Sequence, residues 1–150
     1  IELGFNYRMT DLQAALGTSQ MTRIDEIVGR RRRLAESYDE SFSGLPLITP
    51  WQHPDANSSR HLYVIQLLPD RPDGYHRSVF EMLRAADIGV NLHYIPVYLQ
   101  PYYQAMGFEP GLCPAAERYY GQAITLPLYS GMTDEQQNKV VAAVTGVFNL

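Results

Sequence analysis

Apolar residues along the chain recur first at helical spacing. Met9, Leu12 and Leu16 share one face, and Ile24, Ile27, Val28, Leu34, Ala35, Tyr38 and Phe42 continue a second stripe until SGLP at 43–46 stops it. The pattern predicts two helices, 11–21 and 24–41. Thr10 is placed to cap the first, because its hydroxyl can accept from the free N–H groups of the opening turn, and Asp11 suits the positive end of the helix dipole.

The stretch 50–59 is rich in Pro, His, Asp, Asn and Ser and reads as a loop. HLYVIQLL at 61–68 follows as a strand with apolar residues on both faces, as in a strand covered on both sides or lying at an interface. PDRPDG at 69–74 is a turn. Val79, Met82, Leu83 and Ala86 then give a helix that Gly89 can end in the left-handed conformation, and a strand, Val90 to Ile95, leaves from it. Strand, helix and strand at this spacing form one supersecondary unit, with the relative strand direction left open.

A short helix is expected within 113–124, with Pro114 in its first turn, and TLPLY at 125–129 as a short extended piece. The last helix is better signalled: Thr133 and Gln136 form a capping box, and Val140, Val141, Val144, Val147 and Phe148 form its buried stripe. These elements predict one small α+β domain, residues 44–150, preceded by a helical segment, residues 1–43, whose outer face packs against something else.

Composition narrows the chemistry. The 150 residues are 45% hydrophobic, enough for one core, and no run approaches the length of apolar sequence that spans a bilayer. No membrane association is expected, nor an export signal, and the one cysteine, Cys113, fits a reducing compartment; a soluble, cytoplasmic protein is the expectation. A net charge of -4 argues against a nucleic-acid binder, and the one dense basic run, Arg30 to Arg33, reads as a solvated helix face because the apolar stripe passes through it. His53, His61, His76 and His93 lack metal-site spacing, and no hydrolase elbow, phosphate loop or dinucleotide fingerprint is present.

Two polar, aromatic segments remain. In FNYR at 5–8, Asn6 offers an amide donor, Tyr7 a hydroxyl and a flat face, and Arg8 a fork matched to phosphate or carboxylate. The same residues also suit an ordinary turn with an Arg paired to a neighbouring acid. In VNLHYIPVYLQPYY at 90–103, strand alternation points Asn91, His93 and Ile95 one way and Leu92 and Tyr94 the other. That is a binding edge, or a structural histidine beside packed tyrosines.

GFNYRMTDLQAALG at 4–17 resembles the Gly-aromatic-Asn-Tyr-Arg-Met motif of the DegT/DnrJ/EryC1/StrS family, the pyridoxal-phosphate-dependent sugar aminotransferases of fold type I. GVNLHYIPVYLQPYY at 89–103 and AERYYGQAITLPLYSGMTDEQQNKVV at 116–141 resemble its C-terminal pattern. The resemblance runs from Leu3 to about Val144. It implies the small C-terminal domain of such an enzyme, with a mixed or antiparallel sheet, and an active site shared between two subunits of a homodimer. Asn6 and Arg8 would then bind pyridoxal 5'-phosphate across the interface, and Tyr7, Asn91, His93 and Tyr94 would contact a nucleotide-sugar substrate. Within the family the segment at 93–103 is most similar to members that aminate the 4-keto group of a UDP-linked 2-acetamido-2,6-dideoxy-hexulose, as in pseudaminic acid synthesis, with L-glutamate as amino donor. Tyr98 stands where such members carry a histidine. A family member acting on another nucleotide, such as a dTDP-linked keto-sugar, and a non-catalytic partner of a complete aminotransferase are the alternatives.

Lysine usage bears on that expectation. Transamination needs an amine to hold the cofactor as a Schiff base and to shuttle a proton. In the family this lysine precedes the Asn-Tyr-Arg motif, whereas here Lys139 is the only lysine and falls inside the last predicted helix, as an ordinary solvated side chain. The expectation is therefore a C-terminal fragment of an aminotransferase, with no catalytic residue of its own and inactive alone.

Overall fold

The computed structural model describes residues 8–148, so the expectations placed on Asn6 and Tyr7 lie outside the described residues. Two helices open the chain, α1 (Asp11–Met21) and α2 (Ile24–Ser41), followed by β1 (Leu47–Ile48), β2 (Tyr63–Leu67) and α3 (Tyr75–Ala85). A 3-10 turn at Val97–Leu99 leads to α4 (Pro101–Gln104), then α5 (Pro114–Tyr120), β3 (Ala123–Leu126) and α6 (Asp134–Phe148).

The three strands form an antiparallel sheet in the order β1-β2-β3. Ile65 faces Ile124, Tyr63 faces Leu126 and Leu67 faces Leu47, so these six side chains share one face of the sheet. Onto that face pack Leu34, Ala35, Tyr38 and Phe42 of α2 and its C-cap, Val79 and Leu83 of α3, and Val140 and Val144 of α6, forming one buried cluster. Tyr38 is wholly buried, its ring stacked on Phe42 at 5.3 Å and tilted against Tyr63 at 4.9 Å. Both hydroxyls find partners: Tyr38 donates to the Pro127 carbonyl at 2.9 Å, and Tyr63 to Asp39 Oδ1 at 2.6 Å.

Helix ends follow local chemistry. In α1 the Gln13 amide N–H donates to Thr10 Oγ1 and the Thr10 N–H to Gln13 Oε1, a capping box in which Gln13 completes the cap expected from Thr10 alone. Thr133 and Gln136 close the same box on α6, at 2.9 and 3.1 Å. Pro114 opens α5 as expected.

Four expectations need correction. The predicted strand 90–95 is a single antiparallel bridge, Asn91 to Thr125. Its growth is blocked on β3: the carbonyl of Ala123, two residues from Thr125 and so on the same edge, already accepts from His76 Nε2 at 3.0 Å. Pro96 and the 3-10 turn then turn the chain away. The helix before it ends earlier than Gly89, with Ala86 as its C-cap and Asp87 in the left-handed region at φ 60°. Ala123 and Ile124, expected in the short helix, begin β3 instead. The basic run of α2 is not a freely solvated face. Arg30 donates to the Met132 carbonyl (2.8 Å) and to Asp134 (2.7 Å), Arg31 to the His61 carbonyl (2.8 Å), and Arg32 to the Ser58 carbonyl (2.9 Å). These arginines seat the 57–61 loop and the start of α6 against α2.

Every residue of α1 is exposed, Leu12 at 85%. The Met9, Leu12 and Leu16 face thus has no cover among the described residues. No helix among the described residues is long and apolar enough to cross a membrane.

Candidate functional site

The face of the sheet turned away from the helices carries the polar segment singled out in the sequence. Antiparallel pairing puts Val64, Thr125 and Asn91 side by side on that face. Asn91 and Thr125 exchange both backbone hydrogen bonds, Asn91 N to Thr125 O at 3.1 Å and Thr125 N to Asn91 O at 2.8 Å. Asn91 is exposed, and its Oδ1 accepts from the Leu92 N–H at 2.9 Å, leaving its amide nitrogen outward. Leu92 turns the other way, onto the core.

His93 follows two residues on, as strand alternation requires, and its Nδ1 lies 2.7 Å from Thr125 Oγ1. The ring is half-buried, and Nε2 has no hydrogen-bond partner among the described residues. A cis peptide joins His93 to Tyr94. The Tyr94 ring stands edge-on to the imidazole, with 4.6 Å between centroids, and is 71% exposed. The structure therefore brings Asn91, His93 and Tyr94 together on one side of the sheet, with polar groups and an aromatic face turned to solvent. Among the described residues no hydrogen bond joins Arg8, exposed ahead of the α1 cap, to these three.

Sequence reasoning missed Thr125. It lay in a stretch read only as extended, yet it is buried and contacts two of the predicted ligand residues, Asn91 and His93. The alternation that paired Asn91 with His93 could have found it, had β3 been recognised as the neighbouring strand.

Beyond Tyr94 the chain is held by a second polar knot. The Tyr98 hydroxyl donates to Glu117 and accepts from the Cys113 N–H at 3.1 Å, while Glu117 also accepts from the Gly111 N–H at 2.6 Å. Desolvation and the bond to Glu117 push the Tyr98 hydroxyl up from its ordinary value. The bond from Tyr98, with that from Gly111, holds the Glu117 carboxyl below the usual carboxylate range. Tyr98, set apart in the sequence as a departure, thus ties the 98–113 loop to α5. The loop itself presents Val97, Tyr102, Met106 and Leu112 to solvent.

Lys139 lies elsewhere. Its Nζ pairs with Asp87 at 2.8 Å on the outer surface between α3 and α6, beside an open cleft of about 550 Å³ lined by Ile88, Tyr129 and Val140.

This fold, a small antiparallel sheet backed by three helices with an uncovered leading helix, matches part of solved sugar aminotransferases. The sugar aminotransferase Spr1654 of Streptococcus pneumoniae, solved in apo, PMP and PLP forms, superposes with a TM-score of 0.87 at 29% identity over 95% of this chain and 36% of its own. The model of the DegT/DnrJ/EryC1/StrS aminotransferase family matches residues 1–145, and the chain belongs to that family. Among curated relatives, the spore coat polysaccharide biosynthesis protein SpsC of Bacillus subtilis is 39% identical over 96% of this chain. The UDP-4-amino-4,6-dideoxy-N-acetyl-beta-L-altrosamine transaminase of Campylobacter jejuni is 35% identical over 88% of it, and the GDP-perosamine synthase of Vibrio cholerae 30% over 98%. The chain spans 38%, 35% and 40% of the lengths of these three relatives.

Proposed function

We propose that this chain is the nucleotide-sugar-facing C-terminal part of a pyridoxal-phosphate-dependent aminotransferase, which moves an amino group from L-glutamate to the 4-keto group of a UDP-linked 2-acetamido-2,6-dideoxy-hexulose. The observation that carries the reading is the cluster of Asn91, His93 and Tyr94 on the sheet face outside the core, in a chain similar over most of its length to the altrosamine transaminase. In this reading Asn91 and His93 donate to the diphosphate or sugar hydroxyls and Tyr94 packs against the sugar or base. Tyr7 joins them in this reading, and Asn6 and Arg8 serve the cofactor phosphate across a homodimer interface. Residues 1–43 lead from the large cofactor domain, and residues 44–150 form the small domain.

The described residues fit the rim of a pyridoxal phosphate site and not its anchoring point. Arg8 is exposed as a phosphate donor, while the only amine side chain is engaged with Asp87 on another surface. When bound, the cofactor supplies the electron sink for amino transfer. These residues bind and orient, and the 150-residue chain by itself is inactive in this reading.

The test is a version extended upstream to the length of the relatives. It should take up pyridoxal phosphate and convert the UDP-linked 4-keto-sugar in the presence of glutamate. A folded extended protein that does neither defeats the proposal. The GDP-perosamine synthase relative favours one variant, the same chemistry on another nucleotide, and competition among UDP, dTDP and GDP against the substrate separates them: UDP should compete best.

A further inference from the structure

We propose that Thr125 is the positioning residue of this ligand face, and that its hydroxyl holds His93 as the neutral ring with the proton on Nε2, presenting an N–H donor to an anionic nucleotide-sugar. The inference rests on the reading of Asn91 and His93 as ligand-facing residues.

Thr125 acts on both through different groups. Its backbone N–H and C=O hold Asn91 in register, the single pairing that survives where a longer strand fails to form. Its side chain reaches His93, 2.7 Å away, and among the described residues that is the hydroxyl's only partner. The direction of this bond follows from burial. Thr125 is 5% exposed, and a hydroxyl that merely accepted from an Nδ1 proton would leave its own O–H with no acceptor among the described residues. If the O–H donates to Nδ1, the hydroxyl proton and the ring lone pair satisfy each other. The ring proton then sits on Nε2, the nitrogen without a partner among the described residues. A phosphate or a carbonyl of the sugar needs a donor there, so the fixed tautomer is the useful one. Val64 is the cross-strand neighbour of Thr125 on β2.

The backbone and side-chain roles can be separated. Thr125→Val keeps the shape, the strand preference and both bonds to Asn91 and removes only the hydroxyl; Thr125→Ser restores it. Long-range nitrogen–proton NMR of histidine-labelled chain reads the tautomer directly. His93 should show the Nε2–H form almost exclusively in the parent and in Thr125→Ser, and relax to the mixed tautomers of a free imidazole in Thr125→Val. In the extended enzyme, Thr125→Val should raise KM for the UDP-linked substrate roughly three- to tenfold, with kcat changed less, and Thr125→Ser should stay near the parent. An unchanged His93 tautomer in Thr125→Val overturns the proposal, whatever the enzyme does. A shifted tautomer with unchanged KM leaves the hydrogen bond standing and overturns the ligand role of His93, and with it the link to substrate.

Discussion

Lys139 Nζ lies 2.8 Å from Asp87 Oδ2, so the only lysine of the chain is tied to the left-handed residue that ends α3. The pair joins the end of α3 to α6 at the rim of a cleft. Its hydrogen bond and charge hold the Asp87 carboxyl below the usual carboxylate range. A lowered folded-state value means that the contribution is present above the ordinary carboxylate value and disappears as pH falls through the lowered one. Both ends are solvent-exposed, so Lys139→Met should lower the melting temperature only slightly at pH 7 and by still less at pH 3. Paired thermal melts check this.

The tyrosine pair in the core should behave differently. Burial, with Asp39 beside Tyr63, pushes both the Tyr38 and Tyr63 hydroxyls well above the ordinary tyrosine value. Their contribution to stability is complete below about pH 10 and is lost as pH rises toward the folded-state values. Ultraviolet titration should therefore show two tyrosines that ionise only with unfolding. Tyr38→Phe, which leaves the Pro127 carbonyl without this donor, should cost about 1 kcal/mol in urea denaturation.

Gln137 is the polar residue of the helix–helix contact. It is buried on α6, and its Nε2 donates to the Leu34 carbonyl of α2 at 2.7 Å. Gln137→Ala removes the bond and opens a small void between the helices, so a loss of roughly 2 kcal/mol is expected. Urea unfolding with an unchanged m-value would report it as a stability effect alone.

The Tyr98–Glu117 knot predicts a local response. Tyr98→Phe should leave global stability nearly unchanged while the Gly111 and Cys113 amides exchange faster, because both are held through this pair. The lowered Glu117 value gives a sign for pH: the knot is intact above the ordinary carboxylate range and loosens as pH falls through the lowered value. Hydrogen exchange of those two amides at pH 7 and in acid measures the difference.

The helices were legible because capping and periodicity are local: Thr10, Thr133 and Gln136 mark starts that side chains within four residues complete. The end of α3 was misread because Asp87, held by Lys139 52 residues away, takes the left-handed conformation expected of Gly89. The 90–95 segment carried strand periodicity, and the contact that stops the strand, His76 on the Ala123 carbonyl, is invisible to any window along the chain. The arginines of α2 looked solvated because their acceptors lie far along the chain, backbone carbonyls for Arg31 and Arg32 and the Met132 carbonyl with Asp134 for Arg30. At the candidate site, Asn91 and His93 were legible as an alternating polar pair, whereas Tyr94, which alternation sends the other way with Leu92, stands edge-on to the His93 ring instead. Thr125 was not, since its role depends on which strand lies alongside.

The central claim is that this chain holds a ligand-facing surface and no amine of its own for the chemistry. The most direct measurement is to mix the chain with pyridoxal phosphate, reduce with borohydride and locate any adduct by mass spectrometry. With Lys139 committed to Asp87 on the outer surface, only low, non-stoichiometric labelling without a defined visible band is predicted. A single stoichiometric adduct on Lys139, accompanied by such a band, would contradict the account and place an active site in the cleft lined by Ile88, Tyr129 and Val140.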